Sequence, residues 1–283
     1  MRFSKPVVSI LITIGLAYLG LMVLLLAFER QFIFFPQFPG RLSGNWQPQG
    51  LPVEDVWLTA EDGVKIHSWW IGAPATSPAA EFTFLAFHGN AANLPNRAEI
   101  YELFRDVPAN VLAVEYRGYG RSEGAPSEEG LYRDARAAYE YLVRQRGIAP
   151  QRIVAYGASL GGAVAADLAA QREVAGVVLE APFPSAAAVA RRVYWFLPGL
   201  GTLARTKLDT AAKLEHVRAP LLVIHCTRDP VIAFSFGEEV YRRAREPKQF
   251  VSINAACHED ASLAAPQEYL RALREFLGSL RKN

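Results

Sequence analysis

The chain is poor in several things, and each scarcity narrows what it does. Its 283 residues carry 30 Lys and Arg against 28 Asp and Glu, a formal net charge of +2, with the basic residues spread out rather than gathered into blocks. Without a basic patch there is no electrostatic footprint for nucleic acid, and none is expected as a partner. No internal repeat occurs, and no low-complexity segment beyond Ala-rich patches. With 51% apolar residues, the length suits one large domain. Only five histidines and two cysteines are present, so few groups are available to act as a base.

Charge is missing altogether from Pro6 to Phe28. As a helix this run rises about 1.5 Å per residue and reaches about 34 Å, enough to cross a hydrocarbon core of about 30 Å. A cleaved signal peptide is the competing reading, but its apolar region runs about 7–15 residues, and no small-x-small cleavage site precedes Glu29. Residues 1–30 are therefore expected to be an uncleaved membrane anchor. Arg2, Lys5 and the terminal amine precede the run, whereas Glu29 and Arg30 offset each other after it. By the positive-inside rule the N-terminus is cytoplasmic and the rest of the chain extracytoplasmic, which in a bacterium is the periplasm. Residues 31–52, rich in Gly, Pro and Gln, read as a juxtamembrane linker of limited reach. Within it Phe32, Phe34, Phe35 and Phe38 either rest at the headgroup level or pack on the domain.

From residue 53 the pattern is strand, turn, strand, then strands alternating with helices. "EDVWLTAEDGVKIHSWWIG" reads as a hairpin around the turn "AEDG". The apolar runs "FTFLAF", "NVLAVEY", "RIVAY", "AGVVLE", "PLLVIH" and "QFVSI" suit strands buried on both faces of a parallel sheet. Ser127 is placed to cap a helix with Glu128 and Glu129 in its first turn and Gly147 near its end. The last segment puts Tyr269, Leu270, Leu273, Phe276, Leu277 and Leu280 on one helical face. The expected fold class is α/β, a mostly parallel central sheet opened by an antiparallel hairpin, with helices on both faces.

Two stretches match Gly-x-Ser-x-Gly, "GASLG" at 157–161 and "GRSEG" at 120–124. A nucleophile elbow needs a buried strand, a tight turn flanked by small residues, and a helix that begins at once. "RIVAYGASLGGAVAADLAAQ" has all three in order; after Ser122, Pro126 and an acidic run delay any helix. Ser159 is the candidate nucleophile and Ser122 a loop residue. The competing reading of Ser159 is a small residue in a glycine-rich turn of the phosphate-binding kind.

A serine hydroxyl needs a base, and the base an acid to hold its tautomer. Of His67, His88, His216, His225 and His258, only His258 follows the last strand in a loop, where the order Ser, acid, His places the base. Asp229 in "HCTRDPVI" is the favoured acid, and Glu180 at the end of "AGVVLE" is the alternative. The oxyanion hole needs two amides. Leu160, after the nucleophile, supplies one, and Asn90 in "HGNAAN" the other, with Gly89 letting backbone approach. His88 reads as an organiser of that loop.

With "HGNAAN", "EYRGYGRSEG", "GASLGG", "HCTRDPVI" and "CHEDA" in this order, the chain resembles the α/β-hydrolase superfamily from about residue 53 to its end. More narrowly, it resembles membrane-anchored serine hydrolases related to the animal α/β-hydrolase-domain depalmitoylases. The resemblance implies an α/β-hydrolase domain over 53–283 with a short apolar cap at about 183–209 over a fairly open cleft. It also implies Ser159, Asp229 and His258 as the triad and the Asn90 and Leu160 amides as the oxyanion hole. Members of the family tend to carry glycine where this chain has Cys226 and Cys257, in loops that the fold makes neighbours. A disulfide between them is the hypothesis that follows, suited to an extracytoplasmic domain; two reduced small residues are the alternative. The expected activity is cleavage of carboxylic esters or thioesters, on a small-molecule, acyl or lipid-derived substrate, with no metal or organic cofactor. Amide or peptide cleavage on the same triad, or a non-catalytic membrane-tethered scaffold, are the alternatives. Protein partners are not legible.

Overall fold

A computed structural model describes residues 5–74, 81–107 and 109–281; Arg2, invoked above for orientation, lies outside them. The turn "AEDG" separates β1 (Glu54–Thr59) from β2 (Lys65–Ile71), which pair antiparallel. Gly63 donates to the Ala60 carbonyl at 2.8 Å and Ala60 to that of Val64 at 2.9 Å, closing the hairpin. The six apolar runs become β3 (Phe82–Phe87), β4 (Ala109–Val114), β5 (Ile153–Ala158), β6 (Gly176–Glu180), β7 (Leu221–Cys226) and β8 (Lys248–Ile253). The sheet order is β1-β2-β4-β3-β5-β6-β7-β8, antiparallel through the hairpin and its pairing with β4, and parallel from there on. Every residue of β3, β5, β6 and β7 is buried, as two covered faces require.

Helices α1 (Lys5–Ala27) and α2 (Glu29–Ile33) precede the sheet, α3 (Ala98–Phe104) follows β3, α4 (Glu128–Arg144) follows β4, and α5 (Leu160–Gln171) follows β5. Between β6 and β7 lie α6 (Ala186–Val193), α7 (Leu200–Leu203) and α8 (Thr210–Leu214); α9 (Phe234–Arg243) precedes β8, and α10 (Ala261–Ala264) and α11 (Pro266–Leu280) follow it. Ser127 caps α4, its hydroxyl accepting the Gly130 amide at 3.2 Å. Successive strand residues face opposite layers. Leu85, Leu112, Ala155 and Val177 join one core with Leu131 and Val164 of α4 and α5. Phe84, Val111, Val154 and Val178 join the other with Phe104, Tyr269 and Phe276 of α3 and α11. Each large side chain fully buried in this way contributes about 1.5–3 kcal/mol.

Residues 31–52, expected as a linker of limited reach, pack on the domain. Phe34 and Leu51 are buried. Phe35 donates its amide to the Asn90 carbonyl at 2.9 Å, and Ala92 donates to the Phe38 carbonyl at 2.8 Å. The Asn93 side-chain amide donates to the Arg41 and Ser43 carbonyls at 3.0 and 2.9 Å. A Gly- and Pro-rich composition announces irregular backbone, and here that backbone is strapped across the domain. Of the four phenylalanines, Phe34 packs inward, whereas Phe32, Phe35 and Phe38 stay exposed. Helix α1 is long and apolar enough to cross a membrane.

One contact sets how α5 meets the sheet. A Cβ on Gly161 would collide with the carbonyls of Phe87 and His88, and one on Gly157 with the carbonyl of Gly161. Backbone therefore packs on backbone where β3, β5 and α5 meet. Gly161→Ala is expected to lower stability by about 1–3 kcal/mol, because main chain rather than a flexible side chain must move. Gly278→Ala, in α11 with open space around it, is expected to leave stability unchanged or raise it by about 0.5–1 kcal/mol. Thermal unfolding of the two variants in detergent checks the contrast; equal melting temperatures would refute it.

Candidate active site

Ser159 sits between β5 and α5 with φ 50° and ψ −113°. A positive φ is rare for a residue with a side chain and costs about 1–3 kcal/mol, so surrounding contacts must hold it. They do: its amide donates to the Glu180 carbonyl at 2.8 Å, and its carbonyl accepts from Gly162 at 2.9 Å. Ser122, the other motif serine, is fully buried. Its hydroxyl donates to the Glu115 carbonyl at 2.7 Å and accepts the His67 amide at 2.8 Å. That serine ties its own loop to β2 and to the end of β4.

Asp229 follows β7 and His258 follows β8, on neighbouring parallel strands. The imidazole Nδ1 lies 2.7 Å from Asp229 Oδ2 and donates to it, which leaves Nε2 as the atom able to take a proton. Asp229 Oδ1 accepts the Val231 and Ile232 amides at 2.7 and 2.8 Å, so the carboxylate is fixed from both ends. His225 Nε2, buried, lies 3.4 Å from Asp229 Oδ2 and 3.1 Å from the Ile232 carbonyl. Burial alone would raise the Asp229 pKa, but the hydrogen bonds from His225 and His258, the His258 charge and the Ile232 amide hold it well below the usual carboxylate range. For His258 burial pulls downward, and the Asp229 hydrogen bond with the charges of Glu259, Asp229 and Glu180 outweighs it. The net shift is upward.

Cys226 and Cys257, immediately around the acid loop and before the histidine, are joined by a disulfide with Cα atoms 5.7 Å apart. Thr227 donates to the Ile253 carbonyl at 2.8 Å and Arg228 to that of Ala255 at 3.1 Å, bracing the same two loops. Glu180, the alternative acid, is fully buried and not bonded to the imidazole. It accepts the hydroxyls of Tyr156 and Tyr269, the latter at 2.7 Å, and the Ala261 amide at 3.1 Å. Its backbone holds Ser159 while its side chain holds the loop after His258.

The loop bearing Asn90 is oriented from below. His88 Nδ1 donates to the Gly89 carbonyl at 2.8 Å. Because a peptide is planar and trans, this turns the Asn90 N–H the opposite way. Tyr116 donates to the His88 carbonyl at 2.9 Å and Tyr119 to the Asn90 carbonyl at 2.8 Å. Buried Glu115 meets His88 Nε2 at 3.1 Å and accepts the Leu94 amide at 3.0 Å. Glu259 lies against Gly89, 3.7 Å from His258 Nε2, and accepts from Arg97 at 2.8 Å, while Arg97 also donates to the Ala91 carbonyl at 2.8 Å.

Asn90, Ser159 and Leu160 line one cavity of about 260 Å³. Its other walls are mostly apolar: Phe183, Val189 and Leu200 from the cap side, and Leu25, Leu26 and Ile33 from α1 and α2. Helix α1 thus supplies part of the wall of this cavity, in addition to the cap expected over it. Of the remaining histidines, His67 is buried against Asp55 at 2.6 Å and His216 is exposed after α8. Sequence reading missed Glu115, Tyr116, Tyr119, Arg97 and Glu259. The stretch "EYRGYG" held three of them, but nothing local shows that their partners lie in a loop some 28 residues earlier.

Comparison with known proteins bears on the family and the fold. Residues 84–208 match the model of the alpha/beta hydrolase family. The chain is 36% identical over 278 residues to the uncharacterized protein Rv2307c of Mycobacterium tuberculosis, covering 97% of this chain and 95% of that one. It is 32% identical to alpha/beta hydrolase domain-containing protein WAV2 of Arabidopsis thaliana, covering 90% and 89%. Among solved structures, the Pyrococcus furiosus esterase Pf2001 superposes with a TM-score of 0.71 at 23% identity, over 87% of this chain and 98% of that one, a likeness of fold. The similarity to a named member along most of its length, together with the elbow and sheet order described, makes this chain a member of the α/β-hydrolase family.

Proposed function

We propose that the protein is a membrane-anchored serine hydrolase that cleaves carboxylic esters or thioesters. The observation that carries this reading is the strained Ser159 at an apolar cavity, with an Asp229–His258 pair held on the adjoining strand ends. His258 Nε2 takes the proton of the Ser159 hydroxyl as Oγ attacks the acyl carbon. The Leu160 and Asn90 amides stabilise the oxyanion, and His258 returns the proton to the departing alcohol or thiol. Water, deprotonated by His258, then releases the acid and restores the serine. The apolar cavity favours an acyl chain over a peptide side, and the family resemblance to depalmitoylases points the same way. The disulfide supports an extracytoplasmic domain beyond an N-terminus held in the cytoplasm.

A fluorophosphonate probe is expected to label the full chain in detergent and Ser122→Ala, and to fail on Ser159→Ala. No labelling of folded wild type would remove the hydrolase reading. The activity should also report its base. Since His258 is shifted upward, the base form appears only at higher pH, and kcat/KM should rise through an acid limb centred above the about 6.5 of a free imidazole. In Glu259→Gln the negative charge favouring the imidazolium is gone, so the limb should move to lower pH. A limb that stays put would sink this account of the shift. Thiol titration of the denatured, unreduced protein should find no free thiol, and Cys226→Ala should cost about 2–4 kcal/mol of stability. Two free thiols would withdraw the extracytoplasmic assignment.

A further inference from the structure

The last turns of α1 are built into the domain. Met22 and Leu25 pack with Leu197 and Leu200 of the cap in a small core of their own, with Leu26 and Tyr194 against it. The Tyr18 hydroxyl donates to the Pro198 carbonyl. Just past the helix, the Glu29 carboxylate accepts the Arg205 amide at 2.9 Å and that of Thr206. The cap is thus tied along one stretch of the membrane helix, from Tyr18 to Glu29.

Helix geometry sets the depth of these contacts. At about 1.5 Å per residue, Tyr18 lies about 14 Å before the end of α1, against a hydrocarbon core about 30 Å thick. With Glu29 at the interface, the Tyr18–Pro198 contact falls about halfway through the bilayer, and a tilt of about 20° changes this little. The cap segment at that depth is built for it. Residues 193–204 carry no charge. Val193, Trp195, Phe196 and Leu203 are exposed by 53%, 79%, 52% and 60%. Arg191 and Arg192 precede the segment and Arg205 and Lys207 follow it, all exposed. An apolar tip with a cationic collar matches a hydrocarbon layer under a layer of phosphates.

We propose that the cap tip lies within the leaflet occupied by the C-terminal half of α1, and that Leu25 and Leu26 form the outer wall of the cavity beside Ser159. The partner is the acyl layer of the bilayer, and α1 is a specificity element of the site as well as a tether. The specificity half rests on the hydrolase reading; the insertion half does not.

Insertion is tested with the full chain in phosphatidylcholine nanodiscs, with and without bromine at mid-chain. Of the tryptophans Trp46, Trp57, Trp69, Trp70 and Trp195, only Trp195 belongs to the cap. Bromolipid should quench the wild type, and Trp195→Phe should lose most of that quenching. No quenching in the wild type, or equal quenching in both, overturns insertion. For the wall, Leu26→Trp narrows the cavity from the helix side. The ratio of dodecanoyl to butyryl ester turnover should fall about tenfold, the scale on which a pocket discriminates apolar groups. An unchanged ratio overturns the wall. A wild type that cleaves neither ester and takes no fluorophosphonate overturns the wall's part in specificity together with the hydrolase reading, while the quenching result stands alone.

Discussion

Everything at the site depends on main chain touching main chain where α5 begins. Gly157 and Gly161 bring the start of that helix against the carbonyls of Phe87 and His88, leaving no room for a Cβ. The turn between strand and helix is then too short for ordinary backbone angles. Ser159 absorbs the mismatch at φ 50°. The same approach brings the start of α5 beside the end of β3, and Leu160 and Asn90 line one cavity.

Two buried carboxylates then hold loops that the sheet alone does not define. Glu115 and the tyrosines after it orient residues 88–90 from below. Glu180 takes the Ser159 amide on its carbonyl and the Ala261 amide on its side chain. Burial pushes the Glu180 pKa upward and two tyrosine hydroxyls only partly offset this, so its environment suits a structural bridge and not a partner for the imidazole. Asp229 is shifted the opposite way, because hydrogen bonds from His225 and His258 outweigh its burial.

Helix α1 changes how the cavity is understood, because Leu25 and Leu26 line it while Met22 and Leu25 pack on Leu197 and Leu200. The Glu29 contacts with Arg205 and Thr206 secure that docking just outside the apolar stretch. Residues 31–52, which follow that helix, are strapped over the loop bearing Asn90.

Much of this was legible beforehand, and the reason lies in the range of each signal. Apolar runs separated by helical periodicity set the strands, because burial on two faces is written within each run. "GASLGG" marked the elbow because its glycines answer a steric demand within five residues. The charge-free stretch marked α1, since length and hydropathy are local properties. That His258 faces Asp229 rather than Glu180, the contacts of Glu115, Arg97 and Glu259, and the wall formed by Leu25 and Leu26 appear only in the tertiary structure. Each is a meeting of residues far apart in the chain, and neither spacing nor composition encodes which of several buried carboxylates a histidine will face or which surface a membrane helix will close.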